Sequence, residues 1–256
     1  MKRWLILVAT ACWFFCALTL GAAAQGAPSD DELLAALDAA RFLDADVNTI
    51  RVRIVSTTPD ETREAELLLR FFGSGDTDAA RIEFLAPPEL AGQLYLSTPD
   101  ATYFFGPDLE FPIKTSATAE VFGDSAVAQT SGIRFQGKYT VAARRTISGA
   151  DGESLLEVDL VAVDFTVAFQ AITLRVDPAT LRPLFATLYA LSGLPFYDVT
   201  YKSYVTRDSG DVYVSAQEIA NRLFLGRVTT SEILEATAAD LPASLFDPAL
   251  LGPSGG

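Results

Sequence analysis

The chain of 256 residues contains no histidine, and its two cysteines, Cys12 and Cys16, both fall near its start. Without histidine there is no Ser-His-Asp or Cys-His catalysis and no His-ligated zinc, and the commonest general base is missing. Both cysteines lie in a segment expected to be removed. The remaining chain then has no disulfide, no thiolate metal site and no cysteine nucleophile. Positive charge is also scarce: 19 Lys and Arg stand against 33 Asp and Glu, a net charge of -14. A surface of that sign repels phosphate backbones, which argues against a nucleic-acid partner and against strong electrostatic adhesion to anionic headgroups. No catalytic set, metal site or cofactor is expected.

What is present begins with a secretion signal, residues 1–24. Lys2 and Arg3 form a charged start, Trp4–Leu20 is apolar, and Ala22-Ala23-Ala24 offers small residues for cleavage after Ala24. The alternative is a retained anchor, since Trp4–Ala24 is long enough to span a bilayer. Neither cysteine sits in a lipobox: an apolar run continues after Cys12, and bulky Trp13-Phe14-Phe15 precedes Cys16. Loss of Lys2 and Arg3 makes the exported chain two units more negative. That charge keeps a chain with 50% apolar residues soluble after export. Residues 25–251 suit a single domain with a sizeable core, and residues 252–256 a disordered tail.

Ser29–Phe42 reads as an amphipathic helix capped by Ser29 or Asp30, with Leu33, Leu34 and Leu37 on one face. From Val47 the period falls to two: Ile50, Val52 and Ile54 alternate with Arg51 and Arg53. Short strands then recur around Ala65–Phe71, Ala80–Leu85, Gln93–Ser97, Thr102–Phe105, Arg134–Ile147, Leu155–Val163, Ala171–Val176, Leu184–Leu191, Asp198–Thr206, Val212–Glu218 and Leu223–Val228. Turns such as Gly73–Asp76, Gly149–Gly152 and Asp208–Asp211 separate them. The tail from Ser231 reads as short helix or coil. Thr115–Ser131 breaks the rhythm and reads as a partly helical, mobile flap. The fold class is mainly β (α+β). A curved antiparallel sheet of roughly eleven strands with an N-terminal helix is expected, since so many strands curl.

The chemical motifs are weak. Gly132–Lys138 matches a phosphate-binding loop, but Tyr139 stands where Ser or Thr must meet magnesium. Asp44–Asn48 opens like a calcium loop, yet Thr49 replaces the required glycine and Val55 the closing glutamate. Glu157 and Asp159 share a strand face and could serve a glycoside hydrolase. A solvated outer face explains them better. Asp164 interrupts the apolar run Leu160–Phe169 and fits a bend. Several strands carry hydrophobes on both faces, such as Phe71-Phe72 and Phe104-Phe105. Either a thick sandwich core or a half-closed barrel with a lined hollow would use them.

The segment Arg81–Pro88, Gly92–Leu96, Tyr103–Pro107 and Phe122-Gly123-Asp124-Ser125, followed by Ile172–Asp177, Leu181–Pro183, Tyr201–Tyr204 and Leu241–Phe246, resembles the outer-membrane lipoprotein-sorting family, the LolA-like proteins of the bacterial envelope. Ala126–Gln129 departs from the acidic and aromatic residues such proteins carry there. The resemblance implies an incomplete antiparallel barrel, closed on one side by helices, that holds a lipid or the acyl chains of a lipoprotein. It implies lid helices over an apolar cavity, and a monomeric carrier, secreted across the inner membrane into the periplasm, that is not an enzyme and could meet a membrane transporter or receptor. The alternative it implies is a lipid-responsive sensor, or an accessory module bound to a membrane regulator or transporter. On that basis Leu67, Leu69, Phe71, Ile82, Phe84, Leu94, Leu96 and Phe104 are expected to line the cavity, with Val121 and Phe122 anchoring the flap.

Overall fold

A computed structural model describes residues 28–41, 47–72, 79–126, 133–208, 210 and 212–251. The expected signal, the Gly73–Asp76 turn, the later part of the flap and the tail from Gly252 lie outside these residues. One α-helix occurs among those described, α1 (Asp30–Ala39). Ser29 and Glu32 form a capping box: the Ser29 hydroxyl accepts from the Glu32 N–H, and Glu32 Oε2 accepts from the Ser29 N–H at 2.8 Å. Leu33, Leu34 and Leu37 turn inward and are buried.

The strands are β1 (Thr49–Thr57), β2 (Thr62–Phe72), β3 (Ala79–Ala86), β4 (Leu94–Ser97), β5 (Thr102–Phe105), β6 (Ile113–Thr115), β7 (Glu120–Phe122), β8 (Ser125–Ala126), β9 (Tyr139–Ser148), β10 (Ser154–Ala162), β11 (Ala171–Val176), β12 (Pro183–Tyr189), β13 (Pro195–Thr206), β14 (Val212–Asn221) and β15 (Val228–Thr237). Thirteen of them make one sheet in the order β6-β5-β4-β3-β2-β1-β15-β14-β13-β12-β11-β10-β9. Every described pairing in it is antiparallel. The sheet joins two meanders, β1–β6 and β9–β15, by pairing β1 with β15, so that Ile54 faces Ser231 and Thr57 faces Val228. Strands β6 and β9 lie at its two edges, and the sheet does not close.

Three features differ from expectation. Among the described residues the sheet has thirteen strands against about eleven expected, because β6 and β15 fall where turn and coil were expected, and the short β7 and β8 pair outside it. Lid helices are absent among the described residues. The segment read as partly helical forms a β7–β8 hairpin instead, turned at Gly123 with φ 58°. The strand expected at Leu223–Val228 is largely a turn around Gly226 (φ 82°), and the following strand runs on where helix or coil was expected.

One face of the sheet, here called inner, carries two buried clusters. Under β9–β14, α1 packs its leucines against residues such as Val158, Leu160, Ile172, Leu174, Ala186 and Leu188. Under β1–β3, the β7–β8 hairpin packs Val121 and Phe122 against Ile54, Leu67, Ile82 and Phe84. A third cluster lies on the outer face. There the C-terminal 3-10 turns Ala243–Phe246 and Pro248–Leu250 lead Phe246 and Leu251 over Leu94, Leu96 and Phe105.

Candidate functional site

Helix and hairpin each cover half of the inner face, and neither covers the seam between them. A cavity of ≈ 150 Å³ occupies that seam. Ile50, Val52, Ile54, Leu69 and Phe71 line one side and Leu188, Val199, Tyr201 and Ile219 the other. Ser231 and Ile233 of β15 lie between, Ser125 of the hairpin contributes, and Arg41 just after α1 stands with Ile133 at the wall. The lining is mainly apolar, with hydroxyl and amide groups from Tyr201, Tyr213, Ser215 and Gln217. Small-molecule pockets run about 300–1,000 Å³, so this cavity is smaller than one acyl chain needs.

The expected lining residues divide by register. Leu69 and Phe71 line the cavity. Leu67, Ile82 and Phe84 lie on the same face, buried under the hairpin, where the Phe84 and Phe122 rings stand 6.4 Å apart. Phe104 is also on this face, its ring 5.0 Å from that of Tyr95. Leu94 and Leu96 are on the opposite face and do not reach the cavity. Ile82 pairs with Tyr95, and Leu94 pairs with Phe105, which makes Tyr95 and Phe104 the inward residues of β4 and β5. Val121 and Phe122 anchor the hairpin in the core, as just described.

The hairpin is clasped to the sheet through polar groups. Gly123 sits so close to β1 and β15 that a Cβ there would lie 2.4 Å from Ser56 Oγ and 2.5 Å from Thr229 Oγ1. The Asp124 N–H donates to Thr229 Oγ1 at 2.9 Å. The fully buried Asp124 carboxylate accepts from Asn221 Nδ2 at 2.5 Å and lies 3.3 Å from Arg227 Nη2. Its Oδ2 has no hydrogen-bond partner among the described residues. Farther along, the Tyr95 hydroxyl donates to the Glu120 carbonyl at 3.1 Å. Burial, with the nearby Glu120 charge as a second cause, raises the Tyr95 phenol above its ordinary range.

A second clamp holds the wall near α1. Asp38 accepts from the backbone N–H groups of Phe135 and Gln136 at 2.9 Å each, and from Arg41 Nη2 at 2.7 Å. Arg41 also donates to the Ile133 carbonyl at 2.5 Å and stacks 3.8 Å from the centre of the Phe135 ring. Sequence inspection passed over this pair. Its signal was the Asp38-x-x-Arg41 spacing at the end of an otherwise apolar helix face. It also passed over Val199, Ile219 and Ser231 as lining, because their meeting with β1 depends on the distant β1–β15 pairing.

The two carboxylates considered for hydrolysis share a face and are engaged by cations. Arg145 bonds Glu157 at 2.8 Å and Asp159 at 2.6 Å, Arg175 bonds Glu157 at 3.0 Å, and Thr173 donates to Asp159 at 2.8 Å. This cross-strand network explains them without a substrate. Asp164 closes a turn by accepting from the Thr166 hydroxyl and N–H. These bonds hold its carboxyl below the usual range.

An open antiparallel sheet wrapped around a helix and a hairpin, with a cavity on its inner face, is the LolA-like fold. A LolA superfamily protein from Nitrosomonas europaea shares it at 22% identity and a TM-score of 0.77, over 86% of this chain and 98% of that one. A putative outer membrane lipoprotein-sorting protein domain from Vibrio parahaemolyticus does so at 15% identity and 0.73, over 87% and 97%. A DUF1329 family protein from Desulfovibrio piger follows at 13% identity and 0.71, over 87% and 98%. At these identities the likeness is one of fold. No curated protein matches the sequence. Residues 76–252 match the model of a family described as uncharacterized-protein-like, and the chain belongs to that family.

Proposed function

We propose that the protein is an extracytoplasmic carrier that shelters a lipid, or the acyl chains of a lipoprotein, in the seam cavity, without converting its cargo chemically. The observation that carries this reading is the cavity's position. It lies between two separately buried clusters, where the apolar inner face is left without its own cover. Burying hydrocarbon gains ~0.8 kcal/mol per CH₂, so a chain of roughly sixteen carbons gains on the order of 12 kcal/mol. A lipid cannot cross water bare against such a cost, and a carrier must nearly match the membrane while still releasing its load.

The small resting volume implies that loading widens the seam. The β7–β8 hairpin is the element suited to move, because it is not part of the sheet's ladder and is held by the Val121 and Phe122 side chains and a few polar contacts at Asp124 and Tyr95. Export rests on the amino-terminal signal. Among the described residues no helix is long and apolar enough to cross a membrane.

Cavity-filling variants test the reading. Val199→Trp and Ser231→Trp enter the seam from different strands. Both are expected to abolish uptake of a fluorescent fatty acid while the chain still unfolds cooperatively. Undiminished uptake in both folded variants would place the ligand elsewhere, or nowhere.

A further inference from the structure

The large apolar side chains of the second meander that are more than half exposed gather at one end of the sheet. Ala171 pairs with Tyr189, Tyr197 with Asn221 and Thr57 with Val228. These registers put the β10–β11, β12–β13 and β14–β15 turns side by side. Their tips expose Phe165 (81%), Leu191 (77%), Leu194, Leu223, Phe224 and Leu225 (86%). The turns at the other end, residues 149–153 and 177–182, expose no large apolar side chain. Single exposed leucines are ordinary, whereas three adjacent tips with the same property mark a contact surface.

We propose that these three hairpin tips dip into the interfacial layer of a lipid bilayer and set the protein end-on to the membrane. The tips are separate projections rather than a groove or a flat patch, so each enters lipid independently. Their backbone is already paired in the places that insertion would cover. Asn221 Oδ1 accepts from the N–H groups of Leu223 and Phe224 at 2.8 and 2.9 Å. Ala190 N–H donates to the Leu194 carbonyl at 3.0 Å, and Gly193 N–H to the Ala190 carbonyl at 2.9 Å. Such internal pairing suits insertion into lipid, where no water is left to satisfy backbone groups.

Charge is partitioned to match. The three tips carry Arg222 and Arg227 and one acid, Asp164. The turns of the first meander at this end carry Asp60, Glu61, Glu89, Asp108 and Glu110. Arg222 is paired with Asp198 at 3.1 Å and Arg227 with Asp124 at 3.3 Å, so the tips are close to neutral and meet a bilayer with less repulsion than their acidic neighbours. The inference stands apart from the cavity: a chain with an empty seam would still dock by its tips.

The test is flotation of the exported protein, as recovered from the cell that makes it, with vesicles of phosphatidylethanolamine and phosphatidylglycerol. The native protein should float with the vesicles. Phe165→Ser or Leu225→Ser alone should lower partitioning roughly tenfold, and Phe165→Ser/Leu191→Ser/Leu225→Ser roughly a hundredfold or more. Leu250→Ser, which alters an exposed leucine on the C-terminal turn, should leave partitioning unchanged. Equal flotation of the native protein and the triple variant would overturn the proposal, as would native protein that stays with the solution. Capture of a membrane protein by the native chain but not the triple variant, with no flotation on lipid alone, would also overturn it in favour of a protein partner. Fatty-acid uptake reads the cavity and is expected to survive the triple substitution, so failure of one reading does not mimic failure of the other.

Discussion

Asn221 uses both ends of its side-chain amide: Nδ2 donates to Asp124 Oδ1 at 2.5 Å, and Oδ1 accepts the N–H groups of Leu223 and Phe224. One residue at the end of β14 thereby joins the hairpin beside the cavity to an apolar tip at the sheet's end. Arg227 repeats the link, with its guanidinium 3.3 Å from Asp124 and 5.4 Å from the centre of the Phe224 ring. Hairpin and tip therefore share two residues, Asn221 and Arg227.

Removing the carboxylate tests the clasp. Asp124→Ala leaves the buried Asn221 Nδ2 without its acceptor and the part-buried Arg227 with only Glu120, 3.8 Å away, and a loss of about 2–3 kcal/mol is expected. The same change should speed fatty-acid entry, since the hairpin is held less firmly. An unchanged urea midpoint with unchanged entry rate would mean that Asp124 does not hold the hairpin.

Gly123 is required both by its conformation and by its neighbours. Its φ of 58° is left-handed, and an added Cβ would overlap Ser56 and Thr229. Gly123→Ala is therefore expected to cost roughly 2–3 kcal/mol, combining backbone strain with overpacking. Chemical denaturation measures it, and a loss well below 1 kcal/mol would contradict the close approach of hairpin and sheet.

Tyr95 gives a pH dependence with a definite sign. Burial raises its phenol above the usual value of about 10, so the folded state favours the protonated form that donates to Glu120. That contribution is complete below about pH 10 and is lost as pH rises through the raised value. Below pH 10 the native chain should exceed Tyr95→Phe in stability by about 1 kcal/mol. Above it the advantage should shrink, because the phenol ionises more readily in the unfolded chain than in the folded one. Parallel stability curves for the two proteins across this range would refute the assignment.

The outer-face network bears on the hydrolase alternative. Glu157→Gln and Asp159→Asn remove partners of the half-exposed Arg145. Asp159→Asn should change stability by under about 1 kcal/mol. Glu157→Gln, at a buried carboxylate held by Arg145 and Arg175, should cost about 1–3 kcal/mol. Both should leave ligand uptake intact. Loss of uptake in either variant would give these carboxylates a role that the fold does not suggest.

Much of the scaffold was legible in local pattern. Ser29 with Glu32 marked the start of α1, and the alternation of Ile50, Val52 and Ile54 marked an inward face. The polar strand β15 was not legible. Thr229 and Ser231 face inward there, and neither resembles a core residue until pairing with Ser56 and Ile54 places it. The apolar run Leu223–Leu225 looked like a strand because hydrophobicity does not distinguish a buried strand from an exposed tip. Gly226 was the better signal. The faces of Leu94 and Leu96 turned on a register that only the β3–β4 and β4–β5 pairings settle, and one residue of slip exchanges them with Tyr95 and Phe104. The cavity itself arises from the pairing of the two meanders, a relation between residues nearly two hundred positions apart.

Native mass spectrometry of the protein recovered from its own envelope tests the carrier reading most directly. The account predicts a species heavier than the chain by one lipid or acylated molecule, released on collisional activation and missing from Val199→Trp. A chain that arrives bare in every preparation, indistinguishable in loading from Val199→Trp, would contradict it.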